Sequence, residues 1–289
     1  MNKTIYMTYF KNIPEKVKNR WIKYNNDYKI DFSLDKECVN FLETNFNNNI
    51  SDLFKYINKG MYKADLWRLC KLYKNAGVYA DVDLVPYLNI DFLDKNITFY
   101  SCLSISSNSI FQAFIINFSK PNDPLLLVFL LSFLINKPYK YSGNAPTYDM
   151  YKCIKYMLNV ETILPETKYE IEFVKLKICI GESINNIKKI NLLYFPENID
   201  YTIKLHKNMY DDVFSFNIEN NYLIVKRIDQ NLGWEHNHCI DICFPSKSSF
   251  FFFKEKIGPN NNWITSYVTY KNTKILDSRD IDYYNNKGW

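Results

Sequence analysis

The chain has 289 residues, with 36 Lys and Arg against 31 Asp and Glu, and 47% of it is hydrophobic, including 24 Tyr and 21 Phe. That length and apolar content bury a substantial core and exclude disorder, a collagen helix and a coiled coil. The net charge of +5 is modest and both signs are mixed along the chain, which suits an anionic ligand and lacks the clustered basic stripe expected of a nucleic-acid-binding protein.

Residues 3–10 form an apolar, β-prone run, and Asn12 to Pro14 supply a turn before a helical stretch containing Trp21. Residues 35–47 and 51–59 read as helices. Met61 to Asn75 is the clearest helix in the chain, closed by Ala76-Gly77, and Val78-Tyr79-Ala80 supplies a strand directly after it. Strand-like and helix-like segments then alternate through Pro196, which argues for an α/β layer architecture. From about Val213 successive β-segments with Asn- or Gly-containing turns predict a small β-rich module, so the expected division is 1–212 and 213–289.

The first residues carry no cationic segment followed by an apolar run, so no signal peptide is predicted. The longest apolar run, Leu125 to Ile135, is interrupted by Ser132 and too short to cross a bilayer; it predicts a buried helix and no transmembrane segment. Seven cysteines, odd in number and without a CxxC pair, predict reduced thiols and a cytoplasmic location. Cys239 and Cys243 beside His236 and His238 raise a zinc site as an alternative to simple strand alternation around an edge, which is the favoured reading. Neither a GxGxxG nor a GxxxxGK phosphate loop occurs.

The informative stretch is Lys63 to Pro86. On a helical wheel Tyr62, Leu66, Leu69, Cys70, Leu72 and Tyr73 make one apolar arc. Asp65 falls inside that arc and Arg68 at its edge. A carboxylate pointing inward needs a partner. Two readings fit: an intrahelical Asp65–Arg68 ion pair, or two groups that hold the hydroxyls of a polar substrate. Asp81 and Asp83 then stand at the end of a short apolar strand, and two carboxylates spaced by two share one side of an extended chain. There they could hold one divalent cation, or a cation and a hydroxyl. A second Asp-x-Asp, Asp280 and Asp282, reads as a solvated tail.

Ala64-Asp65, Arg68, Leu72, Gly77, Tyr79, Asp81 and Asp83 resemble the DXD sugar-binding region of glycosyltransferase family 32, which includes fungal mannosyltransferases and is akin to the clostridial glucosylating toxins. Thr4 to Phe10, Trp21 with Tyr28, Gln112 to Pro124, Ser142 to Thr147, and Tyr194-Phe195-Pro196 followed by His206 extend the likeness in order. The β module stays unmatched, and Ala76-Gly77 stands for the family's usual Gly-Gly.

The resemblance implies a GT-A fold, a Rossmann-like α/β domain that binds a nucleotide-diphosphate sugar, and a retaining, metal-dependent hexosyl transfer. The expected donor is a UDP-sugar, with a GDP-sugar as the variant, the cation Mn2+ or Mg2+, and the acceptor a glycan, glycoprotein or glycolipid. By the same resemblance Asp83 is the metal ligand, Asp81 contacts the ribose or sugar and reaches the metal, and Asp65 and Arg68 hold the donor sugar. His206 either completes the metal's ligands or is an ordinary surface or core histidine, and Tyr6, Tyr9 or Phe10 either stacks on the base or packs the core. Trp234, Trp263 and Trp289 either pack the β module or stack on an acceptor's sugar rings. The alternative from another class is a non-catalytic glycan-binding or structural protein that kept the fold.

Overall fold

Period-two burial in the first strand sets up two cores. In β1 (Thr4–Thr8), Ile5 and Met7 enter one and Tyr6 the other, as alternation of side chains across a strand requires. The computed structural model describes residues 2–105, 108–140, 145–180, 187–206, 214–227 and 238–286. After β1 come α1 (Glu15–Tyr24), β2 (Lys29–Ser33), α2 (Asp35–Asn45), α3 (Asn48–Tyr56), α4 (Gly60–Asn75), β3 (Gly77–Ala80), β4 (Val85–Pro86), β5 (Phe99–Leu103), β6 (Phe114–Asn117), α5 (Pro124–Asn136) and α6 (Ala145–Leu158). The remainder is β7 (Lys168–Ile180), β8 (Ile187–Asn191), β9 (Thr202–Leu205), β10 (Phe214–Glu219), β11 (Tyr222–Arg227), β12 (His238–Lys256), β13 (Tyr267–Tyr270), β14 (Thr273–Asp277) and α7 (Ile281–Asn285).

The main sheet runs β2-β1-β3-β6-β5-β12-β13-β14-β4, with β7 and β9 also paired to β12. Strands β2, β1 and β3 are parallel, β6 is antiparallel to both β3 and β5, and β12 is parallel to β5. The alternation seen in β1 repeats in β3, where Val78 and Ala80 face the core shared with Ile5 and Tyr79 the opposite one. This mixed, curled sheet under helices is the α/β architecture consistent with a GT-A-like fold.

Helix α4 lies between the sheet and other helices, so ten of its sixteen residues are buried. It stops at Ala76, whose φ of +53° is left-handed and whose N–H closes on the Leu72 carbonyl. Gly77 follows at φ +104°, and a Cβ there would sit 2.9 Å from the Thr4 carbonyl oxygen of β1. Glycine is therefore required twice over, by the dihedral and by the close approach of the neighbouring strand. Helix α5 is buried from Leu125 to Leu134, as its unbroken apolar run predicts, and Asp123 caps it by accepting from the Leu125 N–H at 2.7 Å.

The β-segments after residue 213 are present among the described residues, but they do not pair only with one another. β10 and β11 form a hairpin across Asn220-Asn221, both left-handed, and continue onto β8. β12, β13 and β14 instead enter the main sheet. Phe250, Phe252 and Phe253 are all fully buried, on the two faces of one strand, which is the signature of a central strand. The β-rich part also begins earlier than expected, at Lys168, because the segment to Ile180 is one long strand registered along β12. Among the described residues no helix lies between Leu158 and Pro196, so the alternation of strands and helices stops at Leu158 and not near Pro196.

Candidate functional site

A cavity of about 650 Å³ opens where β1, α4, the turn after β3 and α7 meet. Its wall includes Thr8, Tyr9 and Phe10 from the end of β1, Ala64 and Arg68 from α4, Asp81 and Asp83 from the turn, and Tyr283 and Tyr284 from α7. The carboxyl ends of parallel strands are the usual place for a ligand in such a sheet.

The Asp-Val-Asp segment is a turn and not an extended strand end. The Asp81 N–H donates to the Ala113 carbonyl of the neighbouring chain segment at 2.8 Å, and the Leu84 N–H returns to the Asp81 carbonyl at 3.3 Å. Val82 and Leu84 are buried in the core beneath. Those two apolar anchors fix the turn and leave both carboxylates on the cavity wall, so the turn delivers what strand alternation was expected to deliver.

Arg68 is the hub. Its guanidinium lies 3.0 Å from the Asp65 carboxylate and 3.6 Å from that of Asp81, and its Nε donates to the Ala64 carbonyl at 3.2 Å. It also covers the face of Tyr79 at 4.4 Å. Arg68 is 4% exposed and Asp65 7%, yet only Arg68 belongs to the cavity wall. The intrahelical ion pair is thus formed, with Asp65 behind Arg68 rather than on the wall. Burial raises the Asp65 carboxyl to about 6, against the opposing pull of Arg68 and with a further push from Asp81.

Two tyrosines bracket the aspartates. Tyr79 donates its hydroxyl to Asp81 Oδ1 at 2.5 Å, and Tyr284 donates to Asp83 Oδ2 at 3.3 Å. Burial, and then the charge of Asp81, raises the Asp83 carboxyl to about 7, with Arg279 working the other way. Arg279 has its guanidinium 5.6 Å from the Phe111 ring and 5.8 Å from that of Trp263, and its buried Nε has no hydrogen-bond partner among the described residues. Trp263 in turn meets Tyr284 edge-on at 5.4 Å.

The expected base-stacking residues divide. Tyr9 and Phe10 line the cavity, Phe10 is 67% exposed, and Tyr9 shares a hydrogen bond with Tyr283 at 3.1 Å. Tyr6 does not reach the cavity wall: it is buried in the core under α4, with its hydroxyl held by Asn2 at 2.6 Å. The alternation that points Met7 to one core points Tyr6 to the other.

His206 is also placed elsewhere. It follows β9, where Nε2 lies 3.0 Å from the Tyr156 hydroxyl and 3.1 Å from Asp241 Oδ1, while Tyr156 donates to the same carboxylate at 2.7 Å. It is absent from the wall that carries Asp81 and Asp83. Among the described residues no three His, Cys, Asp or Glu converge to hold a metal ion. Of the zinc candidates, Cys239 faces Cys179 and Cys243 is buried. His236, the side chain of His238, Trp234 and Trp289 lie outside the described residues, as do Ser142 to Asn144 and the side chain of Ala145.

The sequence reading missed α7. Asp280, expected in a solvated tail, is 5% exposed: it caps α7 by accepting from the Asp282 N–H at 2.9 Å and pairs with Arg20 of α1 at 2.5 Å. Asp282 itself stays largely exposed beside Lys16. An aspartate just before Ile281 is a helix-start signal that could have been read. Also missed at the mouth were Asp35 and Lys63, which form an ion pair at 2.9 Å.

Residues 14–102 match the family model described as the glycosyltransferase sugar-binding region containing a DXD motif. Among solved structures the chain is similar to the PaToxG glycosyltransferase at 17% identity, with a TM-score of 0.42, over 53% of this chain and 67% of that one. No curated protein matches the sequence.

Proposed function

We propose, from the match of residues 14–102 to the sugar-binding region model of DXD-containing glycosyltransferases, that the chain uses a sugar donor and an acceptor and that the cavity binds a nucleotide-diphosphate sugar. We further propose that it transfers the hexosyl unit, with retention of configuration, to a glycan, protein or lipid. A UDP-sugar is the favoured donor and a GDP-sugar the variant. The observation that carries this reading is the convergence of Arg68, Asp81 and Asp83 on one cavity wall beside the aromatic rings of Tyr9, Phe10, Tyr283 and Tyr284.

Glycosyltransferases of this kind generally use a divalent metal, and the residues present fit one. Two carboxylates share the wall, one is raised to about 7 by burial and by the other's charge, and its nearest neutral partner is a single tyrosine hydroxyl. Hard carboxylate oxygen donors suit Mn2+ or Mg2+. Asp83 and Asp81 would hold the ion, with the remaining positions left to phosphate oxygens and water. When bound it supplies charge neutralisation to a diphosphate leaving group.

The chain's own residues do the rest. Asp65, the Ala64 carbonyl and the Tyr79 ring fix Arg68 in one orientation, so it meets the donor's sugar or phosphate oxygens without reorganising. Tyr79 and Tyr284 hold the two carboxylates in place through one hydrogen bond each. Tyr9 and Phe10 offer flat faces to the base at the end of β1. The acceptor hydroxyl's proton passes to the leaving phosphate, which spares the site a dedicated base.

The test is a hydrolysis and transfer panel of UDP- and GDP-sugars with Mn2+ or Mg2+. Cation-dependent turnover of one donor is the expected result. A folded protein silent across the panel would remove the proposal.

A further inference from the structure

Cys179 of β7 and Cys239 of β12 are directly opposite one another in the antiparallel register. Their Sγ atoms are 2.7 Å apart. Cys179 is exposed and Cys239 half-buried, so a small oxidant reaches the pair from solvent. We infer that Cys179 and Cys239 are a covalent modification site, a dithiol that closes to an intramolecular cross-strand disulfide when it meets a low-molecular-weight disulfide such as oxidised glutathione.

Geometry and selectivity both support this. Opposite residues of an antiparallel pair hold their Cβ atoms about 4.5–5.5 Å apart, and a disulfide asks for about 3.5–4.5 Å. The adjustment needed is small, and the two thiols already touch. The remaining thiols are poor competitors: Cys38, Cys70, Cys102 and Cys243 are buried, and Cys153 is half-buried with its thiol pushed above its ordinary range by burial.

The exchange balances in two displacements. The Cys179 thiolate attacks one sulfur of glutathione disulfide, forms a mixed disulfide and releases one glutathione thiolate. The Cys239 thiolate then attacks the Cys179 sulfur and releases the second. Two protein thiols are oxidised, one glutathione disulfide is reduced to two glutathiones, and the two thiol protons leave with them. Exposure makes Cys179 the entry point. Cys239 is the resolving thiol, raised to about 11 by burial and then by its hydrogen bond with Cys179, so the second step quickens as pH rises.

The bond would close residues 180–238 into a loop that contains β8, β9, β10 and β11. That ties the three-stranded sheet to the β7–β12 ribbon. Closing a loop of this size in the unfolded chain should raise the melting temperature, on the order of 5–10 °C. None of this depends on sugar transfer.

The experiment equilibrates the reduced, folded full chain in glutathione buffers from fully reduced to fully oxidised, then maps thiols by alkylation and peptide mass spectrometry. The expected result is a Cys179–Cys239 linked peptide at the oxidised end, a rise in melting temperature, and reversal of both by dithiothreitol. Cys153→Ser should keep the linked peptide, and Cys179→Ser should lose it together with the thermal shift. A folded wild-type protein whose two thiols stay free, stop as separate glutathione adducts or link to other cysteines would overturn the inference.

Discussion

Burial and the neighbouring Asp81 raise the Asp83 carboxyl to about 7, against about 3.9 for an exposed aspartate. A group whose folded value lies above its unfolded value adds stability that is fully present below the unfolded value and is lost as pH rises through the folded one. Without a cation the protein should therefore lose stability as pH climbs from about 4 to about 7. Asp83→Asn removes that burden and should stabilise the metal-free protein at pH 8 by about 1–3 kcal/mol, read as a higher melting temperature than wild type. An equal or lower one would contradict the assignment of strain to this carboxyl. Cation-dependent donor binding should run the opposite way in pH. The proton and the cation compete for the same oxygens, so binding should fall below about pH 7, with a midpoint that moves down as cation concentration rises. A profile flat across that range would show that Asp83 is not the titrating ligand. Tyr284→Phe deletes the 3.3 Å bond to Asp83 and keeps the ring against Trp263. It should weaken cation affinity by about tenfold with little change in melting temperature, as titration calorimetry would read.

At the scale of elements, the α4–β3 junction was legible because its residue types allow few alternatives. An apolar arc ending at Ala76-Gly77 forces a helix stop, and a Gly with φ +104° pressed against Thr4 forces the next strand to leave beside β1. Gly77→Ala should cost about 1–3 kcal/mol and shift β3 along with the turn that carries Asp81. Unchanged stability would mean the close approach to Thr4 is not a constraint. Tyr6 and His206 were harder to place, since residue type and order do not tell which face of a strand looks at a cavity or which carboxylate a histidine meets. Tyr6 went to the core by alternation, and His206 to Asp241, a residue 35 positions on. Helix α7 was not read because five residues give almost no periodicity, although Asp280 carried a cap signal. Its hold is the Asp280 cap and the Arg20 pair. Asp280→Ala loses both and leaves Arg20 unpaired, so it should cost about 1–3 kcal/mol and raise the KM for donor by loosening Tyr283 and Tyr284. A KM equal to wild type would show that α7 does not shape the cavity.

Across the whole molecule, β12 decides how the parts connect. It pairs with β5, β7, β9 and β13 along its nineteen residues, with a register shift against β7 between Pro245 and Ser248. A division at 212/213 is what a change of local character suggests, but pairing between distant strands has no local signature, and Phe250 to Phe253 were readable only as one more β-segment. The fragment 1–212 lacks β12, exposes the edge of β5 and opens both cores. It should be insoluble or melt without cooperativity; a soluble fragment with a sharp transition would restore the two-part division. The same strand order brings Arg279 and α7 to the aspartates at Asp81 and Asp83, so donor binding should require the chain through α7. The central claim is that these aspartates hold a cation-dependent sugar donor, and the most direct measurement is donor binding with and without Mn2+ for wild type beside Asp83→Asn. We expect cation-dependent binding in the wild type that vanishes in a variant at least as thermostable. Undiminished cation-dependent binding in that variant would contradict the account.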